Sequence, residues 1–290
     1  MEFQIDGHVD ANGLRFAYRS LGDGPLVLCL HGFPDSPASF GLLTGALAEG
    51  GFRAVAPWMR GYGPPGGGAP SGPPELGRDA LALGAALAPG ERFSIVGHDW
   101  GAGAGITAGT IAPERLAGLV ALALPHPAHF MARMLGDLGQ IQRSWYMWFF
   151  QLRGISDTVL AAEDFALVDR LCEQWSPGYR RSQDHRAEVN ASIAAGGDAP
   201  LGYYRALFAP RSQVDPDQGA LYGPVGVPTL SLMGADDGCV GAHLLDGQEA
   251  FWSAPVEQEV LDGCGHFLHL ERPKEVAERV VDFLQRRAGT

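Results

Sequence analysis

Short apolar runs of strand length recur along the chain, near residues 14–19, 25–30, 54–57, 93–96 and 119–124, and again near 228–233 and 256–261. Helical spacing falls between several of them, over 79–87, 102–111 and 273–287. The last of these opens on Pro273 and repeats Val276, Val280, Val281, Phe283 and Leu284 at the period of one helix face. Strands that alternate with helices predict an α/β fold, with a mainly parallel sheet flanked by helices. Residues 61–74 are so rich in Gly and Pro that neither helix nor strand is expected there. From 131 to 226 the alternation stops, and the chain reads as helices rich in Trp, Tyr and Phe. The expected organisation is a core in two parts, 1–130 and 227–290, with an inserted helical cap over 131–226.

The chain has 290 residues, with 21 basic and 33 acidic side chains and a formal net charge of −12. An acidic chain without a basic run has no electrostatic purchase on nucleic acid or anionic membrane, so neither is expected as a partner. No apolar run approaches the ~18 residues of a membrane span. The segment Met1-Glu2-Phe3-Gln4-Ile5-Asp6 has no basic and apolar regions of a signal peptide, so the expected address is cytoplasmic. Cys29, Cys172, Cys239 and Cys264 form no CxxC pair, so no metal site is expected, and no cofactor. Cys239 and Cys264 each follow a strand-like run, which leaves their proximity open, as is the oligomeric state.

Four turns carry the candidate chemistry. The strand-like Phe93-Ser94-Ile95-Val96 runs into Gly97-His98-Asp99-Trp100-Gly101 and then a helix of small residues, the layout of a nucleophile elbow with Asp in the central place. The G-x-D-x-G pattern alone is weak, since it recurs at Gly234-Ala235-Asp236-Asp237-Gly238. Only the first copy precedes a Gly/Ala helix, although a helix N-cap aspartate would read the same way. After residues 25–30 comes His31-Gly32-Phe33-Pro34-Asp35, where the Phe33 N–H, with that of Trp100, would form a two-donor oxyanion hole. An ordinary Gly-Pro turn fits that segment equally well. The third turn supplies Asp237 and the fourth, Gly263-Cys264-Gly265-His266-Phe267, supplies His266. Nucleophile, acid and base then run Asp99, Asp237, His266, the chain order of α/β-hydrolases.

With these motifs the chain resembles an α/β-hydrolase of the epoxide hydrolase group over nearly its whole length. The resemblance implies an α/β-hydrolase fold with an inserted helical cap, and it reaches into the 131–226 segment. There Trp145-Tyr146-Met147-Trp148-Phe149-Phe150-Gln151 is similar to the cap segment that holds the family's first ring-opening tyrosine, which falls on Tyr146. Tyr203-Tyr204-Arg205 is similar to the segment with the second, and the family pattern puts it on Tyr204 rather than Tyr203. His31, Pro34, Trp148 and Phe149 are expected to line the substrate pocket. Two segments depart from the family. Trp58-Met59-Arg60-Gly61-Tyr62-Gly63 begins on Trp where Asp is usual, and Leu152-Arg153-Gly154 stands where acid-Pro-Gly is usual.

The implied reaction opens an epoxide with water to a vicinal diol through an ester on Asp99. A serine would leave an ether that water cannot cleave, whereas a carboxylate leaves a hydrolysable ester. His266 then activates water, Asp237 orients His266, and the two phenols donate to the opening oxygen. The implied partners are a small apolar epoxide and water. A haloalkane dehalogenase shares the Asp-His-Asp set, but it needs a second halide donor where this chain has Phe33, whose side chain has none. A serine esterase is excluded by Asp99, and a non-catalytic ligand-binding relative is disfavoured by the intact triad.

Overall fold

The computed structural model describes residues 3–64, 67–70, 72–210 and 218–288. Its eight strands are β1 (Gly7–Ala11), β2 (Leu14–Leu21), β3 (Leu26–Leu30), β4 (Arg53–Pro57), β5 (Phe93–His98), β6 (Leu116–Leu122), β7 (Thr229–Gly234) and β8 (Val256–Leu261). They form one sheet in the order β1-β2-β4-β3-β5-β6-β7-β8. Pairing is antiparallel at β1–β2 and β2–β4 and parallel from β4 onward.

The central strands β3 and β5 are buried along their whole length because both faces are covered. Leu26, Leu28 and Leu30 point into one hydrophobic cluster, while Val27 and Cys29 point into the other. On the first face lie α2 (Pro73–Leu87) and α3 (Trp100–Ile111). On the second lie α1 (Gly41–Glu49) and α12 (Pro273–Ala288), the latter through Val276, Val280 and Phe283. No described helix is long and apolar enough to cross a membrane.

Between β6 and β7 the described chain is helical. It comprises α4 (Pro127–Met134), α5 (Leu138–Arg143), α6 (Trp145–Phe149), α7 (Ile155–Ala161), α8 (Ala166–Trp175), α9 (Gln183–Gly196) and α10 (Ala199–Leu207). The short α11 (Leu268–Glu271) follows β8. The helical stretch thus starts at Pro127, slightly before the expected 131. Tyr146, Trp175, Leu201 and Tyr204 from these helices join the same apolar cluster as Ile95 from the sheet and Phe33 from the turn after β3.

Several boundaries differ from the sequence expectation. Pro73 and Pro74 open α2, at the first helical positions, where a missing N–H costs nothing. The expected strand over 119–124 stops at Leu122 because Ala123 turns to φ 59. β1 is a short edge strand with alternating exposure, and α1 contains Gly41 and Gly45; both were too weakly patterned to be found.

Candidate active site

Asp99 sits at the turn between β5 and α3 with φ 52 and ψ −118, a backbone conformation that costs a non-glycine residue about 1–3 kcal/mol. Close packing holds it there. A side chain on Gly101 would strike the Leu30 carbonyl, and one on Gly32 would strike the Asp99 carboxylate itself. The carboxylate is therefore raised at the C-terminal edge of the sheet against the β3 turn, where the Phe33 N–H donates to its Oδ1 at 2.9 Å. Trp100 is the first residue of α3, so its N–H lacks an intrahelical acceptor. Of the two N–H groups expected to form an oxyanion hole, that of Phe33 thus bonds the Asp99 carboxylate, and that of Trp100 follows Asp99 directly in the chain.

Asp237 lies in the turn after β7 and His266 in the turn after β8. The His266 Nδ1–H donates to Asp237 Oδ2 at 2.9 Å, and the N–H groups of Cys239 and Val240 donate to Asp237 Oδ1. Both Asp237 oxygens are thereby engaged, and the imidazole tautomer and orientation follow from them. His266 Nε2 faces Asp99 Oδ2 at 3.6 Å, too long for a hydrogen bond but close enough for a strong electrostatic contact.

Burial opposes charge on His266, but Asp237 and Asp99 outweigh it and push the imidazole up to about 10. Burial likewise opposes charge on Asp99, and it is outweighed by His266 and the Phe33 N–H, which hold the carboxyl below its ordinary value. These shifts make the resting pair an imidazolium next to an ionised Asp99.

Tyr146 from α6 and Tyr204 from α10 meet above Asp99 with ring centroids 5.4 Å apart. Burial raises both phenols well above their ordinary range, so both hold their protons. The Tyr146 hydroxyl lies 3.2 Å from Cys239 Sγ. That of Tyr204 has no aligned hydrogen-bond partner, although the Trp100 indole is near enough to favour its ionised form slightly. The neighbouring Tyr203 differs, because its hydroxyl donates to the Arg60 carbonyl at 2.7 Å.

An apolar cavity of about 60 Å³ adjoins Asp99, Trp100 and Tyr146. None of the four residues expected to line the pocket is on its wall. The His31 Nδ1–H donates to the Gly32 carbonyl and Nε2 accepts from the Met59 N–H, so the ring pins the 58–62 turn beneath the site; burial lowers it to about 4. Pro34 is buried behind Phe33, after a cis peptide bond. Trp148 is 39% exposed and packs on Phe208, while Phe149 packs on Trp145 and Phe150. The reason is helical phase: α6 turns Tyr146 and Met147 inward, which carries Trp145 and Trp148 outward. Apolar residues from α2, the 124–131 segment and α10 line the cavity instead, among them Leu76, Leu124, Phe130, Met131 and Leu207.

Three further residues at the site had no sequence motif to mark them. Trp175 ends α8 with its ring 4.8 Å from Tyr146 and 5.2 Å from His266, centroid to centroid. Cys239 reaches Tyr146 as described, and it makes no disulfide with Cys264; both thiols are free and buried. Gln140 of α5 is fully buried and bridges to the acid-bearing turn, donating to the Cys239 carbonyl at 2.8 Å and accepting from the Gly241 N–H at 2.9 Å. The two family departures lie outside the cavity. Trp58 packs under Phe3, Arg60 pairs with Asp79 at 2.7 Å, and residues 152–154 are exposed.

Two buried groups have metal-ligand chemistry. Among the described residues one is Asp99, Cys239 and His266, whose ligand atoms lie within 4.8 Å of one another. Asp35, His98 and His269 cluster behind them, with their ligand atoms within 4.8 Å of one another. The His98 Nε2–H donates to the His266 carbonyl, which props the base-bearing turn from behind.

Residues 27–279 match the model of the alpha/beta hydrolase family. The chain is 30% identical to epoxide hydrolase 3 of Xenopus tropicalis over 289 residues, covering 94% of this chain and 76% of that one. It is 28% identical to an epoxide hydrolase of Caballeronia sordidicola, over 96% and 92% of the two chains. The crystal structure of Bacillus megaterium epoxide hydrolase with an inhibitor superimposes with a TM-score of 0.81 at 26% identity, covering 96% of this chain and all of that one. With a family model spanning most of its length, the chain belongs to the alpha/beta hydrolase family and, within that superfamily, to the epoxide hydrolase group.

Proposed function

We propose that the chain hydrolyses an epoxide to a vicinal diol through a covalent ester on Asp99. The observation that carries this reading is the stacking of three chemistries in one buried site: an ionised carboxylate, a His–Asp pair beneath it, and two protonated phenols above it.

In the first half-reaction Oδ1 of Asp99, held by the Phe33 N–H, becomes the ester carbonyl oxygen, while Oδ2 attacks an epoxide carbon. The C–O bond breaks, and the departing oxygen takes a proton from Tyr146 or Tyr204. Asp99 is already ionised, so this step needs no base. Ester formation removes the negative charge beside His266 Nε2 and with it part of the force that keeps the imidazole protonated. Its proton can then restore the phenolate, which leaves neutral His266 as a base.

In the second half-reaction His266 takes a proton from water, and the hydroxide attacks the Asp99 carbonyl carbon. The Phe33 and Trp100 N–H groups face the charge that develops on Oδ1. Collapse expels the diol oxygen, which takes the proton back from His266, and the carboxylic acid left on Asp99 then passes its proton to His266, which restores the resting ion pair. The phenols favour this chemistry over dehalogenation, since a halide leaves without a proton and the Phe33 side chain offers it no donor.

Single-turnover hydrolysis of styrene oxide in heavy-oxygen water tests the reading. Asp99 should acquire the label, and the first-turnover diol should carry unlabelled oxygen from the enzyme. Label appearing directly in that diol would mean that water attacks the epoxide, and the ester mechanism would fail.

A further inference from the structure

His266 Nε2 and Asp99 Oδ2 face each other across 3.6 Å. The gap is too long for a hydrogen bond, and Nε2 has no hydrogen-bond partner among the described residues although its ring is completely buried. It is close to the separation that two ligands of one tetrahedral ion keep when each bond is about 2.0–2.1 Å long. A third donor stands at the same place. The ligand atoms of Asp99, Cys239 and His266 lie within 4.8 Å of one another, and the Cys239 thiol is free and buried. Zinc bonded to sulfur at about 2.3 Å would need the thiol to close by about 1 Å at most. No spacing motif marks the set, because its members follow three different strands, β5, β7 and β8.

Each donor is also held from behind, as metal ligands are. His266 gives its other nitrogen, Nδ1–H, to Asp237 Oδ2 at 2.9 Å, the carboxylate–histidine arrangement that aims Nε2 at an ion. Asp99 accepts from the Phe33 N–H through Oδ1, which leaves Oδ2 turned to the gap. The Cys239 N–H donates to Asp237 Oδ1, its carbonyl accepts from Gln140, and its sulfur sits 3.2 Å from the Tyr146 hydroxyl, which would donate to a bound thiolate. The cavity beside Asp99 borders Val240 as well, next in the chain to Cys239, and supplies the approach.

The exchange balances in charge. Without metal, Asp99 carries one negative charge, His266 one positive, and the thiol none. A dication that replaces the His266 and Cys239 protons sits beside two anionic ligands, so the buried set stays neutral while two protons pass to solvent.

We propose that Asp99 Oδ2, Cys239 Sγ and His266 Nε2 form a binding site for Zn²⁺ or a similar thiophilic divalent ion, with water as fourth ligand, and that the ion reversibly inhibits the enzyme. Thiolate and imidazole select zinc-like ions over Mg²⁺ and Ca²⁺, which prefer oxygen. The bound ion occupies both the oxygen that would attack an epoxide and the nitrogen that would activate water. Binding itself stands apart from the epoxide reading, and only the inhibition rests on it.

Two measurements on the whole chain test the site. Co²⁺, a spectroscopic substitute for zinc, should bind the wild type with a sulfur-to-cobalt charge-transfer band and the intense visible bands of a tetrahedral ion. Cys239→Ser, which keeps the size of the side chain, should lose the charge-transfer band. That variant and Cys239→Ala should each bind at least about a hundredfold more weakly by equilibrium dialysis. In the second measurement, Zn²⁺ held at a fixed free concentration by a metal buffer should raise KM for styrene oxide without lowering kcat. Excess chelator should restore the rate, and Mg²⁺ should leave it alone. Relative to its own metal-free rate, Cys239→Ser should need at least about a hundredfold more zinc for the same inhibition. A wild type without the charge-transfer band, or binding and inhibition unchanged in both Cys239 variants, would overturn the inference while leaving the hydrolase reading standing. No diol from the metal-free wild type would overturn that reading instead, and the cobalt measurement alone would then decide the site.

Discussion

His266 carries a carboxylate at each ring nitrogen, and this decides when it can act as a base. With Asp99 ionised its value lies near 10, so at neutral pH it holds a proton. Once Asp99 is an ester, one of the two anions is gone and the value falls. Ester hydrolysis should therefore quicken as pH rises through that lowered value, whereas alkylation should stay flat across neutral pH. Rapid-mixing measurement of the two half-reactions separates these profiles. His266→Gln should still form the ester and then hold it, visible as a mass increase of one epoxide; an unmodified protein would contradict the division of labour. The same shift bears on stability. A histidine raised in the folded state stabilises fully below its unfolded value of about 6.5, and the contribution is lost as pH climbs through about 10. Asp99→Asn removes one anion, so the alkaline loss, followed by urea unfolding, should begin at a lower pH than in the wild type. In the proposed mechanism Tyr146 and Tyr204 share one task. Replacing either by Phe should slow alkylation, and replacing both should slow it far more than either single change, since no donor then remains for the opening oxygen. A double variant that alkylates at the wild-type rate would remove the phenols from the mechanism.

Among the elements, α5 has the least conspicuous sequence and a large structural burden. Gln140 ties it to the turn that holds Asp237, through the Cys239 carbonyl and the Gly241 N–H, and it also donates to Ser144 Oγ at 2.9 Å. Ser144 immediately precedes α6, so one buried amide sets the position of Tyr146 relative to the catalytic acid. Gln140→Leu would leave the Gly241 N–H and Cys239 carbonyl unpaired in the interior. It should cost about 2–4 kcal/mol of stability by urea titration. Alkylation should slow more than ester hydrolysis, because the displaced group is the phenol. Equal slowing of both steps would mean that Gln140 supports the fold alone. The α6 segment shows how far sequence reaches at this scale. Six aromatic or sulfur-bearing side chains in a row, from Trp145 to Phe150, declare a cap helix but not its phase. Trp148 and Phe149 were expected inside and lie off the cavity wall, because the packing of α6 against α8 and α10 selected Tyr146, Met147 and Phe150 for burial.

Across the whole molecule the site is a seam. The Trp175 carbonyl accepts from the N–H groups of both Gly238 and His266, and Ser176 Oγ accepts from the Phe267 N–H, so the end of α8 is bound to the turns that carry Asp237 and His266. Tyr203 reaches the Arg60 carbonyl across the same seam, and one continuous apolar cluster joins the helices of 127–207 to the first face of the sheet. Helices and sheet should therefore unfold together. Far-ultraviolet circular dichroism and tryptophan fluorescence should report one coincident urea transition, and two separated transitions would show the insertion melting alone.

The sequence by itself determined the α/β class and the strand-end turns on which Asp99, Asp237 and His266 stand. Each of these is written locally, in a strand followed by a turn whose glycines and short loops leave one feasible backbone. The resemblance it carries also singled out Tyr146 and Tyr204, whose ring centroids lie 5.4 Å apart in the fold. What only the tertiary structure decided are relations between segments distant in the chain: the phase of α6, the Cys239–Tyr146 and Arg60–Asp79 contacts, the Gln140 bridge, and which residues line the cavity beside Asp99. A local run of residues specifies its own period, but the direction in which that period faces is chosen by the surfaces it meets, and those are assembled from the rest of the chain.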